Sequence, residues 1–226
     1  MKVIALESCN RLSLGLFDNK NIINKAEFYD TDIADTLLLK IKEFLAINKT
    51  KSLDLNGVAV VVGPGSFTGI RSVVLVAKIL RLILKIPVLP VNALHLLHQN
   101  ALRKRVFNDN DLILCTLSVG NSGIALALFD NNQNEVEKTQ FVLFSDLEDF
   151  LLKFYAKNIY VIGSGMDKLK NLDKNYNLIY LEDIIHPNIE DVRNFFSDFS
   201  FLSLNTTIEP LYITQPNIII KNYGLK

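Results

Sequence analysis

The sequence predicts an α/β fold built from two similar halves, because one order of segments occurs twice along the chain. In each half, three strand-like segments precede a helix-like segment and a further strand. The strand-like segments cover residues 2–8, 11–17, 22–29 and 57–62 in the first half, and residues 112–119, 123–130, 134–144 and 158–165 in the second. Apolar residues make up 49% of the 226 residues, which is enough to fill a core in each half.

The strands are predicted from their hydrophobic patterns. Residues 2–8 form a short apolar run typical of a central strand, and Leu12, Leu14 and Leu16 alternate along the next strand. The polar residues 18–21 supply a turn before the third strand. A sheet is therefore expected to begin close to Met1.

Helices are predicted where apolar residues recur at a spacing of 3.6 residues. The first helix covers residues 32–47 and has Asp32 as its N-cap. Its apolar face consists of Ile33, Leu37, Ile41, Phe44 and Leu45. A longer helix covers residues 66–85, and a helix over residues 145–156 has Ser145 as its N-cap.

The boundary between the halves is predicted in the polar residues 103–111. This boundary gives an N-terminal subdomain over residues 1–106 and a C-terminal subdomain over residues 107–205. Residues 206–226 contain two prolines and are expected to return to the first subdomain as an irregular tail.

Charge, apolar runs and cysteine content exclude several classes of protein. The 24 basic side chains balance the 24 acidic ones, so no global field attracts nucleic acid or an anionic membrane. The longest apolar run, residues 73–84, contains Lys78 and Arg81, and no membrane span is predicted. The first residues lack the pattern of a signal peptide. Cys9 and Cys115 are typical of buried free thiols, and the chain is expected in the cytoplasm.

The glycine-rich turn before the long helix is the principal candidate site. Its residues are Gly63, Pro64, Gly65, Ser66, Phe67, Thr68 and Gly69. A P-loop would require lysine after its last glycine, but Ile70 and Arg71 follow here, and Thr68 stands where a dinucleotide fingerprint requires glycine. The nucleophile-elbow pattern is missed by one residue. Ser66 is therefore interpreted as a helix N-cap, with a nucleophilic role as the weaker alternative.

The long helix carries more apolar surface than contact with one sheet requires. Arg71, Lys78, Arg81 and Lys85 form a narrow basic stripe, and apolar residues cover more than half of the remaining circumference. A helix on a sheet needs an apolar arc of only about 100°. The excess indicates a second buried face, either against another protein or against the second half of the chain.

Three segments together resemble the TsaB (YeaZ) family: VGPGSFTGIR at residues 62–71, MKVIALESCN at the N-terminus and PLYI at residues 210–213. The resemblance implies the duplicated actin-like fold, also called the ASKHA or ribonuclease H-like fold, with two similar subdomains. It implies an accessory subunit rather than the transferase itself. The partner would be TsaD, which attaches threonylcarbamoyl to the adenosine next to the anticodon in tRNAs that read ANN codons.

The resemblance also implies how such a complex is assembled. The helices over residues 32–47 and 66–85 would pack against TsaD, and a TsaE-like ATPase would bind the pair. The residues expected at the partner interface are Leu37, Ile41, Ile70, Arg71, Val74, Lys78 and Leu82, with Val74 and Leu82 on the outward side. The same surface is expected to form a homodimer in isolation. tRNA is expected only through the complex, and ATP and metal only on TsaD, so this chain would hold no cofactor.

The chain departs from the family pattern at three places. Glu7-Ser8-Cys9 stands where Asp-Thr-Ser is usual, the second half has Ser118 in place of an acid, and Thr214 replaces an arginine. An actin-like nucleotide-binding ATPase or kinase, the main alternative, would need a carboxylate in each half. A hydrolase, the weaker alternative, would need a nucleophile next to a base.

The sequence contains three further candidate sites with weaker support. His95 and His98 have helical spacing and could face one metal ion, although no third ligand stands nearby. Glu7 could hold a cation together with Asp30 or Asp32. The segment over residues 163–165, Gly-Ser-Gly, stands where actin-like ATPases contact adenosine, but such segments are also common in plain turns. No metal site is predicted.

Overall fold

The computed structural model describes residues 1–29, 33–172, 176–201 and 207–213, without the side chains of residues 171 and 198–201. It contains two mixed five-stranded sheets. The first sheet consists of β1 (Lys2–Glu7), β2 (Leu12–Asp18), β3 (Asn21–Phe28), β4 (Gly57–Gly63) and β5 (Val88–Asn92). The second consists of β6 (Leu112–Ser118), β7 (Gly123–Asp130), β8 (Glu135–Leu143), β9 (Ile159–Ile162) and β10 (Leu178–Tyr180).

The two sheets have the same topology. Their strand orders are β3-β2-β1-β4-β5 and β8-β7-β6-β9-β10. In each sheet the first three strands are antiparallel neighbours, while the fourth strand pairs in parallel with the first and the fifth. The duplication that the sequence predicts is therefore confirmed.

The helices lie between and beside these strands. They are α1 (Ile33–Ile47), α2 (Phe67–Leu84), α3 (Ala93–Lys104) and α4 (Leu147–Leu152). Short 3₁₀ segments cover Ser52–Asp54, Phe144–Asp146, Met166–Lys168 and Lys170–Leu172, and a longer one covers Ile189–Phe201. No helix in the described part of the chain is long and apolar enough to cross a membrane.

The fifth strand of each sheet is not evident from the sequence pattern. β5 and β10 have only five and three residues, and β5 contains Pro90. Both lie at sheet edges, where a short strand can form without a long apolar run and without alternating apolar and polar residues. Their place is decided by parallel pairing with β4 and β9.

Of the predicted N-caps Ser66 and Ser145, the structure confirms only the first. Ser66 is the N-cap of α2, since its Oγ accepts a hydrogen bond from the Gly69 amide at 3.2 Å, as predicted. The prediction of Ser145 as N-cap is wrong: α4 begins two residues later, and Ser145 Oγ instead bonds to Asp146 Oδ1 at 2.6 Å. A 3₁₀ turn occupies residues 144–146 and delays the helix. The predicted cap Asp32 lies outside the described residues.

α3 and the segment Ile189–Phe201 join the two halves. α3 packs against strands of both sheets, while Ile189–Phe201 contacts α3 and the first sheet. Phe196 meets Phe17 edge-to-face, with ring centres 5.1 Å apart. The predicted C-terminal subdomain, residues 107–205, includes this segment. The boundaries of the two subdomains stay a prediction.

Part of the predicted tail is described. The Leu211 amide donates a hydrogen bond to the Val62 carbonyl oxygen at 2.7 Å, so residues 207–213 contact the first sheet beside the glycine-rich turn. Residues 206 and 214–226, including Thr214, lie outside the described residues.

We expect Gly69→Ala to lower the free energy of unfolding by about 1–3 kcal/mol, because its methyl group would lie 2.5 Å from Ser8 Oγ and overlap the Ser8 carbonyl oxygen. Denaturant titration measures the change. Ser72→Ala, at a half-exposed position one turn later, is the matched control and should change stability by less than about 0.5 kcal/mol. Equal stability of the two variants would contradict this account of the turn.

Candidate functional site

A cleft of about 700 Å³ lies between the two halves at the glycine-rich turn. Ser66 and Phe67 line it from the first half, Asn121 and Ser122 from the second half, and Tyr212 from the tail. The predicted signature turn therefore lines a concave surface between the subdomains. A cleft in this position is where a small ligand would be expected in an α/β protein.

The glycines of the turn allow the backbone to approach the end of β1 closely. The Ser66 amide donates to the Cys9 carbonyl oxygen at 2.7 Å. A side chain at Gly65 would lie 2.6 Å from Cys9 Cβ, and Gly63 has a φ of 114°, which favours glycine. The turn thus packs against the end of β1, and the Ser66 amide already donates to a protein oxygen, so this amide is not open to a phosphate.

The end of β1 holds its carboxylate away from the cleft. Glu7 is buried and accepts a hydrogen bond from the Cys9 amide at 2.6 Å. Burial raises the pKa of Glu7, against the lowering effect of hydrogen bonds from Cys9 and Ser13. Asp30 and Asp32, either of which is a candidate from the sequence to hold a cation together with Glu7, lie outside the described residues.

The second half contributes no charge to the cleft either. The Ser118 amide donates to Ser164 Oγ at 3.1 Å, which joins the end of β6 to the Gly-Ser-Gly segment. None of the described residues that line the cleft is an aspartate, glutamate, lysine, arginine or histidine. Among the described residues, the lining of the cleft thus contains neither a general base for Ser66 nor charged side chains that could bind a triphosphate.

Two cations of α2 hold the tail on this helix. Arg71 Nε donates to the Tyr212 hydroxyl at 2.7 Å, and the Arg71 guanidinium lies 4.0 Å from the centre of the Phe67 ring. Two turns further along α2, Lys78 Nζ lies 2.7 Å from a carboxylate oxygen of Glu209. The basic stripe that the sequence indicates thus contacts the tail, which sequence reasoning did not foresee because the partners stand more than 130 positions away.

Four of the predicted interface residues are buried within the chain. They are Leu37, Ile41, Ile70 and Val74, each exposed by 5% or less. The assignment of Val74 to the outward side is therefore wrong. At 100° per residue, Val74 falls beside Ile70 and Ala77 on the face of α2 that packs inward.

The outward face of α2 is apolar at other positions. Leu82 is 79% exposed, as predicted, and Ile83, Leu75 and Ile79 are 69%, 58% and 36% exposed. On the neighbouring helix α1, Leu38 is 60% exposed. We call these five residues the apolar face. The sequence indicated the excess apolar surface but did not identify four of these five residues. Where apolar residues cover both the core-facing side and the outward side of a helix, the pattern does not show where one side ends and the other begins.

The two histidines of α3 have different surroundings. His98 is buried and stacks on Phe129 with ring centres 4.3 Å apart, whereas His95 Nε2 lies 2.8 Å from Glu135 Oε1. Burial, reinforced by His95, lowers the pKa of His98 to about 4. No group of three potential metal ligands occurs among the described residues.

Solved structures with this arrangement define the class of protein. YeaZ from Pseudomonas aeruginosa superposes with a TM-score of 0.76 at 17% identity, covering 93% of this chain and 99% of that one. The Lmo2764 protein from Listeria monocytogenes, a suggested N-acetylmannosamine kinase, superposes with a TM-score of 0.51 at 16% identity, covering 89% and 99%. The chain is a two-subdomain protein of the duplicated actin-like fold, as the sequence predicts.

Sequence comparison gives the family. Residues 32–217 match the family described as TsaD, tRNA N6-adenosine threonylcarbamoyltransferase. The tRNA threonylcarbamoyladenosine biosynthesis protein TsaB of Buchnera aphidicola subsp. Schizaphis graminum is 31% identical, with 85% of this chain and 91% of that protein covered. TsaB of Escherichia coli K12 is 23% identical, with 85% and 84% covered. The chain belongs to this family and, within it, to the TsaB proteins.

The buried His98 predicts a pH dependence of stability. Its pKa is about 4 in the folded chain and 6.5 ordinarily, so the unfolded chain binds the proton first as pH falls. Stability from this group is complete above about pH 6.5 and is lost progressively as pH falls towards 4. Between pH 7.5 and 5 the loss should be about 2 kcal/mol.

Denaturant titrations of wild type and His98→Leu at both pH values measure this loss. The variant should lose about 2 kcal/mol less than wild type over the interval. His95→Gln is the comparison variant: it removes the smaller contribution of His95 to the lowered pKa of His98 and leaves the larger contribution of burial, so most of the wild-type pH dependence should remain. Identical pH dependences for wild type and His98→Leu would refute the assignment.

Proposed function

We propose that this chain is the TsaB subunit of the machinery that forms threonylcarbamoyladenosine in tRNA, and that it acts as a non-catalytic scaffold for TsaD. Membership of the TsaB family supports the process. The uncharged cleft supports the absence of chemistry, because phosphoryl transfer requires groups that neutralise developing charge. ATP and metal would be held by TsaD, and the ATPase or kinase and hydrolase alternatives lack the residues that they need.

The apolar face on α1 and α2 carries the proposal. Its five side chains, from Leu38 to Ile83, are between 36% and 79% exposed on two helices that pack against each other. Contiguous apolar surface of this kind marks a site of protein–protein contact. Lys78, one turn from both Leu75 and Leu82 on α2, pairs with Glu209. Apolar side chains with charged residues next to them are typical of interfaces, which have an apolar core and a polar rim.

The same face accounts for the proposed assembly. TsaD would bind on α1 and α2 in the complex, and a second copy of the chain would cover this face in isolation. A TsaE-like ATPase would bind the TsaB–TsaD pair. tRNA would be bound only by the complex, in the cytoplasm.

We expect Leu82→Glu to weaken association with TsaD at least 100-fold, because an unpaired carboxylate buried in an interface costs several kcal/mol. Leu82 is 79% exposed, so the isolated variant should remain folded. The measurement is the dissociation constant for TsaD from the same organism, with circular dichroism to establish folding.

Leu152→Glu is the matched control for this experiment. Leu152 is 57% exposed on α4 in the second half, and the same change there should leave association unaltered. A folded Leu82→Glu chain that binds TsaD as tightly as Leu152→Glu would rule out the apolar face as the docking surface.

We also expect the isolated chain to show no saturable hydrolysis of ATP with magnesium. Steady-state phosphate release should be the same for wild type, Glu7→Gln and Ser66→Ala, since the Glu7 carboxylate is buried against the Cys9 amide and Ser66 Oγ, at the wall of the cleft, caps α2. Hydrolysis that follows saturation kinetics and disappears in Glu7→Gln would favour the ATPase alternative instead.

A further inference from the structure

A second concave surface, a polar groove of about 620 Å³, lies where the hairpin turns of both sheets approach α3. Its cationic side chains are Lys20 from the β2–β3 turn, Arg103 from α3 and Arg193 from Ile189–Phe201. Its amide side chains are Gln99 from α3, Gln133 from the β7–β8 turn and Asn194. No acidic residue is among the described residues that line this groove.

The cations of the groove differ in their pairing. Arg103 Nε lies 2.7 Å from Asp191 Oδ1, and this fully buried carboxylate neutralises it and fixes its position. Lys20 and Arg193 have no ion pair or side-chain hydrogen bond with any residue that the structure describes. Arg193 lies near Glu190 and Asp191 and favours the ionised form of both carboxyl groups, but neither forms a close ion pair with it. The groove therefore keeps two cationic side chains, Lys20 and Arg193, that are not tied to a carboxylate by an ion pair among the described residues.

The amide groups present mainly hydrogen-bond donors. Asn194 Nδ2 donates to Gln99 Oε1 at 3.0 Å, and Gln99 Nε2 donates to Gln133 Oε1 at 2.9 Å. Two of the three amide oxygens are occupied by this ladder, while each NH₂ group retains at least one further N–H. Cations together with free N–H groups are complementary to anionic oxygen atoms.

The positive charge continues past the groove along the end of α3. Lys104 Nζ and Arg105 Nη2 lie 3.4 and 3.1 Å from the carboxylate of the same residue, Asp183. One carboxylate compensates two cations there. In a chain of zero net charge, this surplus is a local property of one face, and the overall composition does not reveal it.

We propose that this groove binds the phosphodiester backbone of RNA, which, on the function proposed above, is the tRNA held by the complex. The cations come from separate elements of both halves and line an extended groove, which suits a polyanion better than a single small anion. Contacts of this type position a nucleic acid without reading its sequence. The chain thus contributes directly to tRNA binding in addition to docking TsaD.

The test is the double variant Lys20→Gln/Arg193→Gln in complex with TsaD. Both residues lack ion-pair partners among the described residues, so their replacement should leave the fold intact. The dissociation constant for a fluorescent tRNA transcript that reads an ANN codon is measured between 50 and 300 mM KCl. At about 0.1 M salt, binding should weaken about five- to ten-fold for each lost phosphate contact, and the slope of log affinity against log salt should fall by about 0.9 per contact.

Two control variants accompany this measurement. Lys138→Gln/Lys157→Gln removes two exposed charges from the second half and should bind tRNA as wild type does. Lys20→Arg/Arg193→Lys retains the charges and should also bind normally. If the glutamine variant of the groove keeps wild-type affinity and salt dependence, or if both glutamine variants weaken equally, the groove is not an RNA site.

Co-elution with TsaD separates this inference from the proposed function. A wild-type chain that does not pair with TsaD would contradict the proposed function, and the tRNA titration is then made on the chain alone with the same expected order of variants. Variants that pair with TsaD normally but lose tRNA affinity only when the groove is altered would support the groove independently.

Discussion

The contact between the glycine-rich turn and the end of β1 positions both the cleft between the halves and the apolar face. The Ser66 amide bonds to the Cys9 carbonyl oxygen, and side chains at Gly65 or Gly69 would overlap Cys9 or Ser8. α2 begins at this contact. The contact therefore fixes the start of the helix against β1, and with it which side of the helix faces the core and which faces solvent. The same contact forms one wall of the cleft, so the cleft and the apolar face share a single support.

Three surfaces formed by the described residues differ in their physical character. The cleft between the halves is uncharged, the face on α1 and α2 is apolar, and the groove at α3 is cationic. A neutral cleft cannot compensate the charge of a nucleotide triphosphate, whereas an apolar face and a cationic groove suit a protein and a polyanion. On the function proposed above, the duplicated actin-like fold serves here to present binding surfaces to other molecules.

Local features of this chain could be predicted from its sequence. The Ser66 cap and the core strands depend on neighbouring residues and on periodicity, and the structure confirms them. The delayed start of α4, the short edge strands β5 and β10 and the inward position of Val74 could not be predicted in this way. The edge strands and the inward position of Val74 depend on contacts with distant segments, which leave little pattern in the residues involved, whereas α4 is delayed by a 3₁₀ turn at residues 144–146.

By itself, the sequence determined the duplicated order of strands and helices, the family and the existence of surplus apolar surface on α2. Only the tertiary structure decided that Leu75, Ile79 and Ile83 form the outward face and that the tail is tied to Arg71. It also brought Lys20 and Arg193 into one groove although they are 173 positions apart. Periodicity records which residues share a side of an element, but which side is covered depends on how the two sheets, α3 and the tail pack together in space.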